Sequence, residues 1–173
     1  MSFPKSVGQC PIYYNHTNTG RPKSIEEDDK HFGYRSNYID CGNLPLYSFG
    51  HGLSYSDFVY EGLELSADKM SENESIKVNV TIHNNSNFDG KETVMLYMRD
   101  LVASNARPVQ QLIAFEKVEF KANERKTVEF FIEEPMLRFW NNDNKFVSEA
   151  GLFEISTGYA DHLKFTKKFE LLK

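Results

Sequence analysis

Long apolar runs are missing from this chain of 173 residues. None approaches the ~20 residues that a membrane-spanning helix needs, so no helical span is expected. Cysteine is scarce as well: Cys10 and Cys41 are the only two. Two thiols without C-x-x-C spacing make neither a disulfide scaffold nor a metal knuckle. Free thiols are the expectation, with a Cys10–Cys41 pairing as the alternative. An excess of basic residues is also lacking. The formal net charge of −5 argues against an electrostatic grip on nucleic acid, which wants a basic face. The first ten residues, MSFPKSVGQC, show no basic region followed by an apolar core, so no secretory signal is visible. The compartment is left open.

Signatures of catalysis and metal binding are equally thin. The histidines are His16, His31, His51, His83 and His162. None is paired four residues from another or set beside a cysteine cluster, and no zinc site is expected. There is no G-x-S-x-G elbow. Gly50-His51-Gly52 lacks the third glycine and the strand–helix setting of a dinucleotide site, so no cofactor is expected. The acidic run Glu26–Asp29 lacks the ligand spacing and central glycine of a calcium loop and reads as solvated. Hydrolysis by paired carboxyl groups needs two acids set facing each other. Here Glu133–Glu134 ends a strand, Glu116 and Glu119 alternate with core positions, and Asp57 precedes a strand. No catalytic pair emerges.

What the chain does have is a period of two. Ile76, Val78, Val80 and Ile82 alternate with Lys77, Asn79, Thr81 and His83, the pattern of a half-buried antiparallel strand. Asn84–Gly90 then reads as a turn. Val94, Leu96 and Met98 alternate next, before a polar loop from Asp100 to Pro108. Leu112–Phe120 continues as a less regular strand, with a bulge expected near Ala114–Phe115. Asn123–Glu124 turns into Val128, Phe130 and Ile132, and Pro135 stops that strand. Phe139–Trp140 and Phe146–Val147 flank a hairpin tip at Asn141–Lys145. Leu152–Thr157, a break at Gly158, and Leu163–Leu171 complete the set. Roughly six to eight short strands separated by turn signals predict an all-β antiparallel sandwich, with residues 58–173 as its domain.

Residues 1–57 read as an extended N-terminal arm and junction. The apolar cluster Ile12–Tyr14 suggests a strand too short to close a core alone. The stretch Pro45–Phe58, PLYSFGHGLSYSDF, sets Gly50 and Gly52 either side of His51. Glycine there supplies a φ or a close approach that a side chain would block. The neighbouring Tyr47, Phe49, Leu53, Tyr55 and Phe58 are expected to pin the chain to the sandwich. N-glycosylation sequons occur at Asn15, Asn73, Asn79 and Asn84 and matter only in a eukaryotic secretory route.

This stretch resembles the junction motif of glycoside hydrolase family 3, the β-glucosidases and β-xylosidases, where it leads into a C-terminal fibronectin type III-like domain. The resemblance extends upstream to FPKSVGQCPIYYNHTNTGRP (Phe3–Pro22) and SNYID (Ser36–Asp40). Downstream it takes in YMRDLVASNARPVQQLIAFEKVEF (Tyr97–Phe120). It implies an immunoglobulin-like sandwich beside a catalytic barrel and an α/β domain. It also implies a parent that hydrolyses terminal β-D-glucosyl or related residues without a cofactor, often exported. In that family the nucleophilic aspartate and the acid/base glutamate belong to those other domains, so no catalytic residue carries over. The arm residues Tyr13, Tyr14, Asn15, His16 and Arg21, with His51 and Arg107, are implied interdomain or pocket-rim contacts. Packing is favoured over direct contact with an oligosaccharide. Trp140 reads as a core-edge indole rather than a sugar platform. The alternative reading is a stand-alone carbohydrate- or protein-binding module.

Overall fold

The computed structural model describes residues 1–18, 20, 36, 38 and 41–173. Its strands are β1 (Phe58–Leu65), β2 (Lys69–Met70), β3 (Ser75–Asn84), β4 (Gly90–Asp100) and β5 (Gln111–Phe120). After them come β6 (Arg125–Glu133), β7 (Phe139–Trp140), β8 (Phe146–Val147), β9 (Gly151–Tyr159) and β10 (His162–Leu171). One sheet runs β1-β3-β6 and the other β2-β10-β9-β4-β5, while β7 and β8 form a separate hairpin. All pairings are antiparallel except the short parallel match of β2 to β10. Only two short 3-10 turns interrupt the strands among the described residues, Val7–Gln9 and Glu134–Leu137.

The two sheets are held face to face by apolar alternation. Ile76, Val78, Val80 and Ile82 are fully buried from β3, and Val128, Phe130 and Ile132 meet them from β6. Val94, Leu96 and Met98 of β4, Phe153 and Ile155 of β9 and Phe169 and Leu171 of β10 supply the opposite wall. Burial of each such side chain contributes roughly 1.5–3 kcal/mol of transfer free energy.

The turns work as their residues suggest. Asn84 is buried, and its Nδ2 donates to the carbonyls of Phe88 at 2.7 Å and Lys121 at 3.0 Å. One side chain thereby clasps the β3–β4 and β5–β6 turns, and leaves no room for a glycan on that sequon. Asn123 and Asn144 adopt φ of 56° and 57°, the left-handed region that asparagine tolerates.

Several expectations are corrected. Ile12–Tyr14 is not a strand; the described N-terminal residues make isolated bridges, among them Phe3 to Tyr47 and Thr17 to Pro108. Gly158 does not break a strand but lies within β9 at φ 124°. The register slips opposite it between Leu163 and Phe165, and a Cβ would stand 2.9 Å from the His162 oxygen. Glycine there is the residue of a bulge. The irregularity of β5 falls at Ile113, just before the expected place, because Leu96 pairs with Ala114 and Tyr97 with Leu112.

Two acids missed as structural elements are buried. Glu134 accepts from Arg138 Nε at 2.9 and 3.0 Å and from the Ser148 hydroxyl, and Arg138 holds its carboxyl below the usual range. Glu92 sits between the sheets, where the hydroxyls of Tyr60 (β1) and Tyr159 (β9) each donate to its Oε1 at 3.0 Å. Desolvation pushes this carboxyl above its ordinary value and outweighs the two hydrogen bonds. It likewise pushes the Tyr159 hydroxyl up to about 12.

Two outcomes are expected. Phe130→Ala should cost about 3–5 kcal/mol of unfolding free energy, because Phe130 is 7% exposed, whereas Tyr13→Ala at a 50% exposed residue should cost little. Denaturant melts of the two variants check this, and equal losses would contradict it. Glu92→Gln should raise the melting temperature at pH 8 and leave it nearly unchanged at pH 4. A raised native pKa means that the folded state binds the proton more firmly. Stability therefore drains away as pH climbs above the ordinary value of 4.5, and the amide escapes that loss.

Candidate functional site

Strand β4 is buried on both faces. Its inner face fills the sandwich, but Met95 and Tyr97, which point outward, are 5% and 0% exposed. What covers them comes from more than forty residues upstream. Gly50 lies against the Met95 Sδ and Tyr97 hydroxyl at φ 83°, and any Cβ there would run into Met95 Cε. Phe49 stacks on Tyr14 with ring centroids 4.4 Å apart, and Tyr14 meets Tyr97 edge-on at 5.9 Å. The Leu112 amide donates to the Tyr14 hydroxyl at 3.4 Å, and Thr157 Oγ1 donates to the Met95 carbonyl at 2.9 Å. Gln9, fully buried, ties the segment to itself by donating to the Gly42 and Leu44 carbonyls at 2.8 Å each.

Around this seat the expected site residues separate. Tyr13 stands edge-on to His16 at 6.4 Å on the rim. His16 Nδ1 donates to the Thr17 carbonyl at 2.9 Å, and the His16 carbonyl accepts from the Val109 amide at 2.8 Å. Asn15 is exposed. Arg21 lies outside the described residues, as does the acidic run Glu26–Asp29. His51 is not bonded through its ring to nearby backbone; the ring lies against Tyr47 at 4.7 Å while its amide donates to the Ser48 carbonyl.

Arg107 sits beneath the β4–β5 loop. Its Nη2 donates to Gln111 at 3.3 Å and its guanidinium covers the Phe139 ring at 4.6 Å. Burial lowers its pKa and raises that of nearby Asp100. It packs within this domain, with the Gln111 side-chain amide as its hydrogen-bond partner.

Other junction residues depart from expectation. Gly52 has open space around it and no positive φ. Leu53 and Tyr55 do not pin the chain; they are 97% and 99% exposed. Trp140 is also largely exposed and leans on Phe146 at 5.5 Å.

Between the N-terminal segment, the β4–β5 loop and the β9–β10 turn lies a cleft of about 640 Å³. Tyr13, Tyr14 and His16 line it together with Ser48, Gln110 and Asp161. Ser48 and Gln110 lie within the quoted motifs but escaped the reading of the sequence because nothing in those motifs singles them out. Both are buried, and neither Ser48 Oγ nor Gln110 Nε2 has a hydrogen-bond partner. Cys10 and Cys41 are free thiols. No group of three potential metal ligands occurs among the described residues, and no described helix is long and apolar enough to cross a membrane.

A family model described as a fibronectin type III-like domain matches residues 92–160, from β4 to the end of β9. The periplasmic β-glucosidase of Salmonella typhimurium is 42% identical over 172 residues, which is 99% of this chain and 22% of that protein. The chain therefore aligns with one region of the β-glucosidases of glycoside hydrolase family 3. Its structure superimposes on that of the Listeria innocua β-glucosidase in complex with isofagomine with a TM-score of 0.90, at 41% identity. That match covers 99% of this chain and 24% of the other. The GH3 β-glucosidase of Bifidobacterium adolescentis matches at a TM-score of 0.65 and 29% identity, over 76% of this chain and 19% of its own. The chain thus spans about a fifth of the length of the curated relative from Salmonella, and within the chain residues 92–160 match the fibronectin type III-like domain.

If Gly50 seats the N-terminal segment on β4, Gly50→Ala should lift it. Forcing a side chain into φ 83° costs about 1–3 kcal/mol, and the methyl also displaces Met95. Hydrogen exchange at the amides of Met95 and Tyr97 should speed up while that of Val78 and Val80 stays slow. Unchanged exchange at all four would remove the seat from the account.

Proposed function

We propose that this chain is the non-catalytic supporting region of a family 3 glycoside hydrolase. In this reading residues 1–57 are the interdomain arm and residues 58–173 the sandwich that carries it. Its partners are the catalytic barrel and the α/β domain of the parent enzyme, and the parent hydrolyses terminal β-D-glucosyl or related residues. The relatives that support this activity are named β-glucosidases and β-xylosidases.

One observation carries the reading. Val7, Leu53 and Tyr55 are 91%, 97% and 99% exposed, and Phe3, Leu46 and Tyr47 of the same N-terminal stretch are 53%, 56% and 46% exposed. Apolar groups gathered on one segment mark a surface that another body covers. The sandwich that follows that segment has one continuous buried apolar core, which suits a buttress. Tyr13, Asn15, His16 and His51 belong to the same N-terminal stretch of sequence and are assigned to interdomain contact or to the pocket rim, as is Arg21. Arg107 supports the loop that borders them.

A chimera tests the proposal. This chain replaces the matching region of the Salmonella β-glucosidase, and hydrolysis of a chromogenic β-glucoside is measured. The chimera should be active, and Leu53→Asp with Tyr55→Asp should reduce its activity more than tenfold. The same pair of changes in the 173-residue chain should leave its melting temperature unaltered. Full activity in the doubly substituted chimera would sink the docking surface. Turnover by the 173-residue chain alone, lost on mutating one of its own carboxylates, would overturn the non-catalytic assignment.

A further inference from the structure

We propose that Cys10 and Cys41 are a dithiol pair that closes reversibly into a disulfide and staples two pieces of the N-terminal segment together. The pair goes beyond the supporting role and does not depend on it.

The first ground is how the backbone around the two cysteines is held. Both are free thiols, Cys10 exposed and Cys41 half-buried. Gln9, the residue before Cys10, is fully buried. Its Nε2 donates at 2.8 Å to the carbonyl of Gly42, the residue after Cys41, and at 2.8 Å to that of Leu44. In the other direction, the Tyr38 hydroxyl donates at 2.7 Å to the carbonyl of Pro11, the residue after Cys10. Tyr38 is fixed within its own stretch, where its amide donates to Asn43 Oδ1 at 3.2 Å. Cys10 thus lies between two ties, and both lead to the stretch that contains Cys41. A disulfide accepts a narrow range of backbone separations and torsions, so it needs such framing before it forms.

The second ground is the surroundings of the sulfurs. Burial raises the pKa of the Tyr38 hydroxyl, and the charges of Cys41 and Cys10 push it further the same way. One phenol therefore feels both sulfurs. Because these are the only two cysteines in the sequence, neither thiol has a rival within the chain.

The exchange needs a low-molecular-weight disulfide as oxidant, such as oxidised glutathione. The exposed Cys10 thiolate attacks one of its sulfurs, a mixed disulfide forms, and one glutathione thiolate leaves. Cys41 then attacks the Cys10 sulfur, the Cys10–Cys41 bond forms, and the second glutathione leaves. Two protein thiols lose two electrons and two protons, and the oxidant takes them up as two thiols. Excess reduced glutathione runs the exchange backwards. A bond between the exposed Cys10 residues of two copies is the competing product. The internal bond is favoured because the second sulfur is already held in the same molecule, at a high effective concentration. It joins the pieces that carry Tyr14 and Phe49, whose stacked rings cover β4, and so restrains local opening of that cover.

The test is equilibration of the 173-residue chain in mixtures of reduced and oxidised glutathione, read by thiol count and intact mass. Half-oxidation of the native chain should need a proportion of oxidised glutathione about tenfold lower than in urea, where the framing bonds are lost. A digest should yield a peptide that joins Cys10 to Cys41. Cys41→Ser should accumulate the mixed disulfide on Cys10, whereas Cys10→Ser should react several-fold more slowly. In the oxidised chain the amides of Met95 and Tyr97 should exchange several-fold more slowly than in the reduced one, a change that neither serine variant shows. Equal proportions with and without urea, or a dimer as the main product, overturns the pair. Unchanged exchange at Met95 and Tyr97 in the fully oxidised chain overturns the staple. Should a serine variant not fold, the comparison in urea still decides. Because the pair is read on the chain alone, failure of the supporting role leaves this result untouched.

Discussion

The structure depends on the covering of Met95 and Tyr97. A sandwich strand normally turns one face to the core and the other to water. Here β4 hides both, and the second cover is provided by Gly50, Phe49 and Tyr14. Glycine is required at position 50 because the backbone must come down onto a methionine at positive φ. Once it is seated, Tyr14 is fixed between Phe49 and Tyr97, and the backbone that follows Tyr14 is led past Val109 and Pro108. The cleft exists because of this path: one wall is the segment that Gly50 anchors and the other is the loop that follows β4.

The acids of the chain illustrate how environment decides role. Glu92 and Glu134 are both buried, but one faces tyrosine hydroxyls and the other a guanidinium. The first is therefore easier to protonate than an ordinary carboxyl and the second harder. One lies on β4 and the other in the turn after β6, and with their different partners they tie separate parts of the sandwich together. Glu92 joins the two sheets through Tyr60 and Tyr159, whereas Glu134 anchors the turn after β6 to Ser148.

The sandwich was readable from the sequence where burial is one-sided. The alternation of β3 is unbroken from Ile76 to Ile82 because one face meets the core and the other meets solvent. The same logic reported only half of β4: Val94, Leu96 and Met98 were identified, and the burial of Met95 and Tyr97 was not, since their cover arrives from a distant segment. Gly158 looked like a terminator because composition does not distinguish a bulge from a break. Leu53 and Tyr55 were read as anchors because apolar character signals burial without saying against what. Of the cleft, Tyr13, Tyr14 and His16 were identified through their motif. Ser48 and Gln110 were not, because a serine and a glutamine become informative only when their surroundings leave them unpaired.

The Asn84 clasp has a consequence for how this fold tolerates change. One amide nitrogen serves two carbonyls on turns that are far apart in the chain, so the lengths of those turns are coupled. An insertion in either would pull the shared donor away from the other. Descendants of this sequence are therefore freer to lengthen the hairpin tip at Asn141–Lys145, which answers to no such common bond.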